Sequence, residues 1–285
     1  MPSGKTYGNV IRPSGQQQMD GFTSSESPLA RFLYPLRWRD TVFVVDDFVS
    51  GNTTAAGSIN LALWTFAKIA SNGTNFAATS TQLANGTITG ITGAVAGDHV
   101  NIRGGATWAG DYNCGFEIRW KVDNNVAMQW ETGFSDPLSS YTNTATSVIN
   151  DIDTPTITNG ATDVAMIAMD TQQTLTTMAF ITDGSTSNMN TTKTNLGTRT
   201  PTNATFMTCR VQLAQTASAV AASAAYVLDV NNALQEQASH GSVLASQIKG
   251  DVLLEPRFYM EAATTTAETV DIDYMAIWQD RFKLL

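Results

Sequence analysis

From residue 41 onward, short apolar-rich runs recur with turn residues between them, and several of the runs keep the two-residue period of a half-buried β-strand. Thr41-Val-Phe-Val-Val-Asp-Asp-Phe48 reads as a strand that ends at Ser50-Gly51-Asn52. Further strands are predicted near 62–70, 75–80, 87–92, 99–103, 114–122, 126–133, 147–151, 163–170, 174–182, 205–213, 222–229 and 254–261, with a closing strand at 269–278. Asn72-Gly73, Asn85-Gly86 and Asp183-Gly184 carry the chemistry of tight turns. The clearest alternation places Cys114, Phe116, Ile118, Trp120 and Val122 on one face, with Glu117, Arg119 and Lys121 on the other. The closing strand sets Val270, Ile272, Tyr274 and Ala276 against Asp271, Asp273, Met275 and Ile277.

No long run keeps a helical period. The nearest is 231–248, which Gly241 interrupts, and the small-residue stretch 214–226 reads as a loop leading into a strand. No repeat of fixed period is present, which argues against solenoids and propellers. Many short alternating strands imply two packed antiparallel sheets.

Residues 1–40 have a different character. Gly4, Gly8, Pro13, Gly15, three consecutive glutamines at 16–18 and Ser24-Ser25-Glu26-Ser27-Pro28 break any regular period. Leu29-Ala-Arg-Phe-Leu-Tyr-Pro-Leu-Arg-Trp38 then sets large apolar groups between arginines, and those groups need a surface to cover. The expected organisation is an extended anchoring arm over 1–40 and a single sandwich domain over 41–285.

Composition sharpens this picture. Of 285 residues, 42% are hydrophobic and only 14% are charged, against about a quarter in an average protein. Forty threonines favour strands over helix interiors. Low charge with abundant Thr suits extracellular or virion β-proteins better than a cytosolic enzyme. The net charge of −9 is unevenly spread. Lys5, Arg12, Arg31, Arg37 and Arg39 against Asp20 and Glu26 give residues 1–39 a net of +3, leaving −12 on the rest. An acidic body without clustered Lys and Arg is not expected to bind nucleic acid. Residues 1–30 have no continuous apolar stretch, so no secretory signal is expected, and no run reaches the roughly 20 apolar residues of a membrane span. Cys114 and Cys209 are too few for a disulfide framework and read as two buried free thiols.

The order of elements resembles the concanavalin A-like lectin/glucanase superfamily, in the form found in bacteriophage structural proteins. Four pieces carry the resemblance: the opening strand ending in Asp46-Asp47-Phe48, the Trp64 strand after a Gly-containing turn, the middle (Gly115-Phe-Glu-Ile-Arg-Trp-Lys121, then Trp130-Glu-Thr-Gly-Phe-Ser-Asp136), and the end (Leu254-Glu-Pro-Arg-Phe-Tyr-Met260, then Val270 to Trp278). It covers about residues 41–281. It implies an all-β, two-sheet antiparallel jelly-roll sandwich whose last strand pairs with the first.

Candidate chemistry is sparse. Glucanases of this superfamily use a Glu-x-Asp-x-x-Glu strand motif, and a retaining pair needs carboxyls about 5–5.5 Å apart. Here Glu268-Thr-Val-Asp271-Ile-Asp273 has the wrong order, with Glu268 on the opposite face from the two aspartates. Glu117 and Glu131 lie on separate strands and read as solvent-facing charges. His99 and His240 lack the partners of a zinc site or of a catalytic triad. The oxygen-rich positions Asp151, Asp153, Asp170, Asp183, Asp229, Asn231 and Asn232 show no EF-hand spacing, and calcium is a minor alternative to having no cofactor. Trp64 and Trp120 are assigned to the core. Trp108, between Gly104-Gly105 and Gly110, is the best candidate for an exposed glycan contact.

These features lead to a non-enzymatic phage virion protein, a decoration protein on the capsid surface, made in the host cytoplasm. Arg12, Arg31, Phe32, Tyr34, Arg37 and Trp38 are the expected anchors to the major capsid protein or another virion protein, within a homo-oligomer for which a trimer is favoured. The alternative is a carbohydrate-binding, receptor-binding module of a tail or capsid fibre. A glycoside hydrolase is the weakest reading, because the carboxylate motif is missing.

Overall fold

The computed structural model describes residues 41–46, 48, 64–69, 74–78, 86–138, 147–158, 160–172, 177–184, 192–197, 201–217, 219–240 and 248–283. The arm at 1–40, with its six anchoring residues, lies outside them, as does the Asn72-Gly73 turn.

Fifteen strands make up the described part: β1 (Thr41–Asp46), β2 (Trp64–Ile69), β3 (Thr74–Ala78), β4 (Ile88–Ile91), β5 (His99–Gly104), β6 (Gly115–Val122), β7 (Met128–Ser135), β8 (Val164–Asp170), β9 (Ala179–Asp183), β10 (Thr192–Asn195), β11 (Met207–Ala214), β12 (Ala222–Leu228), β13 (Leu234–His240), β14 (Glu255–Ala262) and β15 (Thr269–Asp280). Helical structure among the described residues is limited to one 3-10 turn, Gly110–Tyr112. The strands form two antiparallel sheets. The larger runs β13-β12-β11-β6-β15-β4-β3, with β1 also paired to β15, and the smaller runs β10-β9-β8-β7-β14-β5-β2. The first strand thus pairs with the last, Val44 opposite Ile277 and Thr41 opposite Asp280, as the resemblance implied. β4 and β1 share one edge of β15 end to end, while β6 takes the other edge.

The alternation of β6 predicts its burial. Cys114, Phe116, Ile118, Trp120 and Val122 all enter the core between the sheets. Trp120 meets Trp130 of β7 edge-on at 4.7 Å and Phe258 of β14 at 5.2 Å. Phe116 meets Phe134 at 6.2 Å. These aromatic contacts join the two sheets directly and add to the large apolar area that each ring buries. Cys114 and Cys209 are buried and unbonded.

β8 is buried along its whole length, which marks a strand covered on both faces. Its inner residues Ala165, Ile167 and Met169 belong to the central core. Its outer residues Val164, Met166 and Ala168, with Ala179 and Ile181 of β9, form a second core under Leu138, Val148, Ile149, Ile152, Ile157 and Ala161. The loop after β7 therefore folds back over the outside of the smaller sheet. Asp136 fastens its end by accepting N–H bonds from Thr162 at 2.9 Å and Asp163 at 3.1 Å.

Two expectations are corrected, and one strand is added. The strand predicted at 147–151 is a bend with a single bridge, Ile149 to Ile157, because its apolar groups cap the second core instead of joining a ladder. The stretch at 231–248, for which no element was predicted, holds β13, paired along β12. The inward phase of β15 shifts midway: a bulge between Ile272 and Tyr274 puts Val270, Ile272, Met275 and Ile277 in the core and turns Tyr274 outward.

Candidate functional site

Ionisable residues gather on the outer face of the smaller sheet, beside the second core. Alternation along β14 presents Glu255, Arg257, Tyr259 and Glu261 there, opposite Arg103, Asn101 and His99 of β5 on one side and Gly133, Glu131 and Gln129 of β7 on the other. Glu131 accepts the Val148 and Ile149 N–H groups at 2.7 and 2.9 Å and lies 3.5 Å from the Arg257 guanidinium. Arg103 and Glu255 approach to 3.6 Å. The Tyr259 hydroxyl donates to Glu261, and the Tyr259 ring leans against His99 at 5.1 Å.

Burial dominates the electrostatics of this row. It pushes Glu131 above the ordinary carboxylate range, against the pull of Arg257 and the two N–H donors. It raises Glu261 and drives the Tyr259 phenol well up. It also pulls His99 down, opposed by a bond to the Gly97 carbonyl at 3.1 Å. Glu131, Arg257, Tyr259 and His99 are each at most 3% exposed as residues, and Glu261 and Arg103 are half-buried. A general acid or base must reach its substrate, and here the accessible members are Glu261 and Arg103.

The sequence reading missed this row, although the i, i+2 spacing of Glu255, Arg257, Tyr259 and Glu261 carries the signal. It also expected Glu117 and Glu131 to face solvent, and both are fully buried. They sit on different sheets and point away from the core on opposite sides of the sandwich, so they form no hydrolase pair. Glu117 bonds Arg210 Nε at 2.6 Å and the Tyr274 hydroxyl at 2.7 Å. Asp273 pairs with Arg119 at 2.5 Å, and Asp271 with Lys121 at 3.2 Å. Glu268 is buried with neither carboxyl oxygen hydrogen-bonded, and burial followed by repulsion from Asp123 pushes it up to about 7.

Among the described residues no three His, Cys, Asp or Glu side chains gather as a metal site requires. Asp151 and Asp229 instead accept N–H bonds from their own turns. His240 hydrogen-bonds the Thr182 and Thr194 hydroxyls at 2.8 and 2.9 Å and stacks on Phe180.

Trp108, expected to be exposed, is only 9% exposed. Reciprocal backbone bonds to Leu254, at 3.3 and 2.7 Å, hold its chain against the end of β14 and fold the indole into the core. It does, however, border a cavity of about 240 Å³ at the edge of the sandwich, shared with Val44, Trp64, Gly104, Gly105, Thr107, Pro256 and Ile277. Trp64 is buried as expected.

No protein-family model matches the sequence, and no curated protein does. Solved structures match in shape. One is a protein of unknown function from Shewanella oneidensis MR-1, at 11% identity and TM-score 0.53, over 96% of this chain and 98% of that one. Another is the CBM2 module of the evolved Dit of Lactobacillus casei BL23 phage J-1, at 8% identity and TM-score 0.51, over 86% and 99%. A third is the exoplasmic/lumenal domain of VIP36 in its Ca2+/Man2-bound form, at 9% identity and TM-score 0.52, over 85% and 89%. At such identities the likeness speaks for the fold: the chain is an all-β, two-sheet jelly roll of the lectin-like kind.

Proposed function

We propose that this chain is a non-enzymatic structural component of a bacteriophage particle, a decoration protein on the capsid surface. In this reading residues 1–40 are the anchor. Arg12, Arg31, Phe32, Tyr34, Arg37 and Trp38 contact the major capsid protein or another virion protein, and a homotrimer at a capsid three-fold axis is the assembly. The observation that carries the reading is the division of charge, a basic aromatic-rich arm on an acidic body. The body supports it, since the ionisable rows of both sheets are largely buried and bonded to one another. The shared fold with a module of a phage protein is in keeping with it.

The test is co-sedimentation of full-length and Δ1–40 protein with undecorated capsids, with near-UV circular dichroism to confirm that the truncated sandwich is folded. The full-length protein is expected to pellet and the truncation to stay in solution. Equal pelleting of both would remove the arm from the anchor role. No sugar release is expected from a polysaccharide panel.

A second reading, a receptor-binding carbohydrate module, is favoured by one observation, the cavity bordered by two indoles. Under that reading, glycan binding survives deletion of the arm.

A further inference from the structure

The cavity at the edge of the sandwich lies between the two sheets. Val44 of β1 and Ile277 of β15 line it from the larger sheet. Trp64 of β2, Gly104 of β5 and Pro256 of β14 line it from the smaller sheet, and Gly105, Thr107 and Trp108 close it from the loop after β5. We propose that this cavity is the seat of Trp38, so that the aromatic end of the chain's own arm docks on the body of the free protein.

The lining selects an apolar occupant. None of the eight residues is ionisable, and two indoles, a valine, an isoleucine and a proline face a space with one hydroxyl, that of Thr107. Water finds few partners in such a space, and an apolar cavity of about 150 Å³ already takes a benzene ring. The volume here, about 240 Å³, suits a single larger ring. The cover over β1 is also incomplete. Val42 and Val44 pack against the central core yet stay half-buried, whereas Ile277, opposite Val44, is 2% exposed. An indole seated beside Val44 removes that remaining apolar surface from water.

The chain itself indicates which ring. Only Arg39 and Asp40 separate Trp38 from Thr41. That tether spans at most about 10 Å, as does the stretch of β1 from Thr41 to Val44. Closing so short a loop loses little chain entropy. Residues 49–63, which join β1 to β2, contain no aromatic residue, and Phe282, just beyond β15, is exposed. Arg37 and Arg39 flank Trp38. A guanidinium finds no partner in this cavity, so both stay in water over the acidic body while the indole enters. Under the decoration reading the anchor is then stowed on its own body until a capsid surface competes for it.

The test uses the full-length protein. The other five tryptophans are each at most 9% exposed, so the emission of the wild type minus that of Trp38→Phe isolates one ring. That difference signal is expected to be blue-shifted and roughly threefold less quenched by acrylamide than N-acetyltryptophanamide. Two variants fill the cavity. A Cβ on Gly105 meets nothing within 4 Å, so Gly105→Leu adds a side chain without displacing the core, and Val44→Phe adds a ring from β1. With near-UV circular dichroism showing each variant folded, at least one is expected to bring the Trp38 signal to the level of the free reference. Benzoylphenylalanine in place of Trp38 is expected to photo-cross-link to the cavity lining within one chain. A Trp38 signal quenched like the reference in the wild type, protection that survives both filled cavities, or a covalent dimer in place of the intrachain product would each overturn the proposal. The docking is read in the free protein and the anchor role on capsids, so the two fail separately.

Discussion

Glu117 and Arg210 are withdrawn from water on a sheet face that polar alternation would ordinarily leave wet. Their side chains are 0% and 1% exposed and lie 2.6 Å apart, with the Tyr274 hydroxyl on the second carboxylate oxygen and the Tyr226 ring 5.8 Å from the guanidinium. Burial raises the Tyr226 phenol to about 12, and burial followed by the Glu117 charge raises Tyr274 further. Both phenols therefore remain protonated and able to donate. A buried pair of this kind contributes modest net stability but is costly to break, because the survivor is left charged and unpaired. Glu117→Ala is expected to cost about 3–5 kcal/mol in urea unfolding. Replacing both partners, as Glu117→Leu with Arg210→Met, is expected to cost less than either single change. If the double variant were as unstable as the sum of the singles, the pair would not be acting as a unit.

Strand identity came mostly from residue pattern, and strand phase came less reliably. β6 is readable because nothing disturbs its alternation. β15 begins equally clearly, but the extra residue at Asp273 reverses its faces, and a period-two reading carries no mark for a bulge. β10 is a four-residue edge strand, Thr-Lys-Thr-Asn, without an apolar residue to announce it. β13 reads Leu-Gln-Glu-Gln-Ala-Ser-His, in which Gln, Glu and Ala suit a helix, and its pairing with β12 decides otherwise. The polar row of β14 was visible as spacing, but its burial was not, since the loop that helps to cover it is distant in sequence. Two glycines show how tightly the strands are specified. A Cβ on Gly115 would lie 2.1 Å from the Trp278 ring, whereas Gly133, at φ +143°, would drive one to 2.3 Å from the Ala165 carbonyl oxygen. The first obstacle is a side chain and the second is backbone in a conformation that L-residues avoid. Gly115→Ala is expected to cost about 1–3 kcal/mol through overpacking. Gly133→Ala should cost more, as judged by thermal melts of the two variants side by side.

At the scale of the molecule, groups at different places on the sandwich set opposed responses to pH. His240, on β13 of the larger sheet, bonds Thr182 and Thr194 of the smaller one and so ties the two sheets along one side. Burial lowers its pKa, and that of His99, below 6.5 in the folded state. The unfolded chain then takes up protons first, so the stability these residues contribute is present above about pH 6.5 and is lost as pH falls. Glu268 works in the other direction. Residue 268 shares the inward face of Val270 and Ile272, and its backbone is held to Thr92 by bonds of 2.9 and 3.0 Å. Its folded pKa of about 7 lies above the ordinary carboxylate value of 4.5, so its contribution is intact below about pH 4.5 and is lost as pH rises through 7. The raised Glu131 and Glu261 act in the same sense. In the wild-type chain these slopes oppose one another across pH 5–7. Glu268→Gln keeps the shape and removes the ionisation. Its gain at pH 8 is about 1–2 kcal/mol, discounted from the full shift for solvent screening near the Asp123 loop. That corresponds to a melting temperature higher by about 3–6 °C at pH 8 and unchanged at pH 4.5. His240→Gln is expected to flatten the acid side without changing the alkaline side. Melting curves of the three proteins from pH 4.5 to pH 8.5 decide the matter, and a Glu268→Gln profile parallel to the wild type would mean that the carboxyl is already ionised and satisfied in the folded chain.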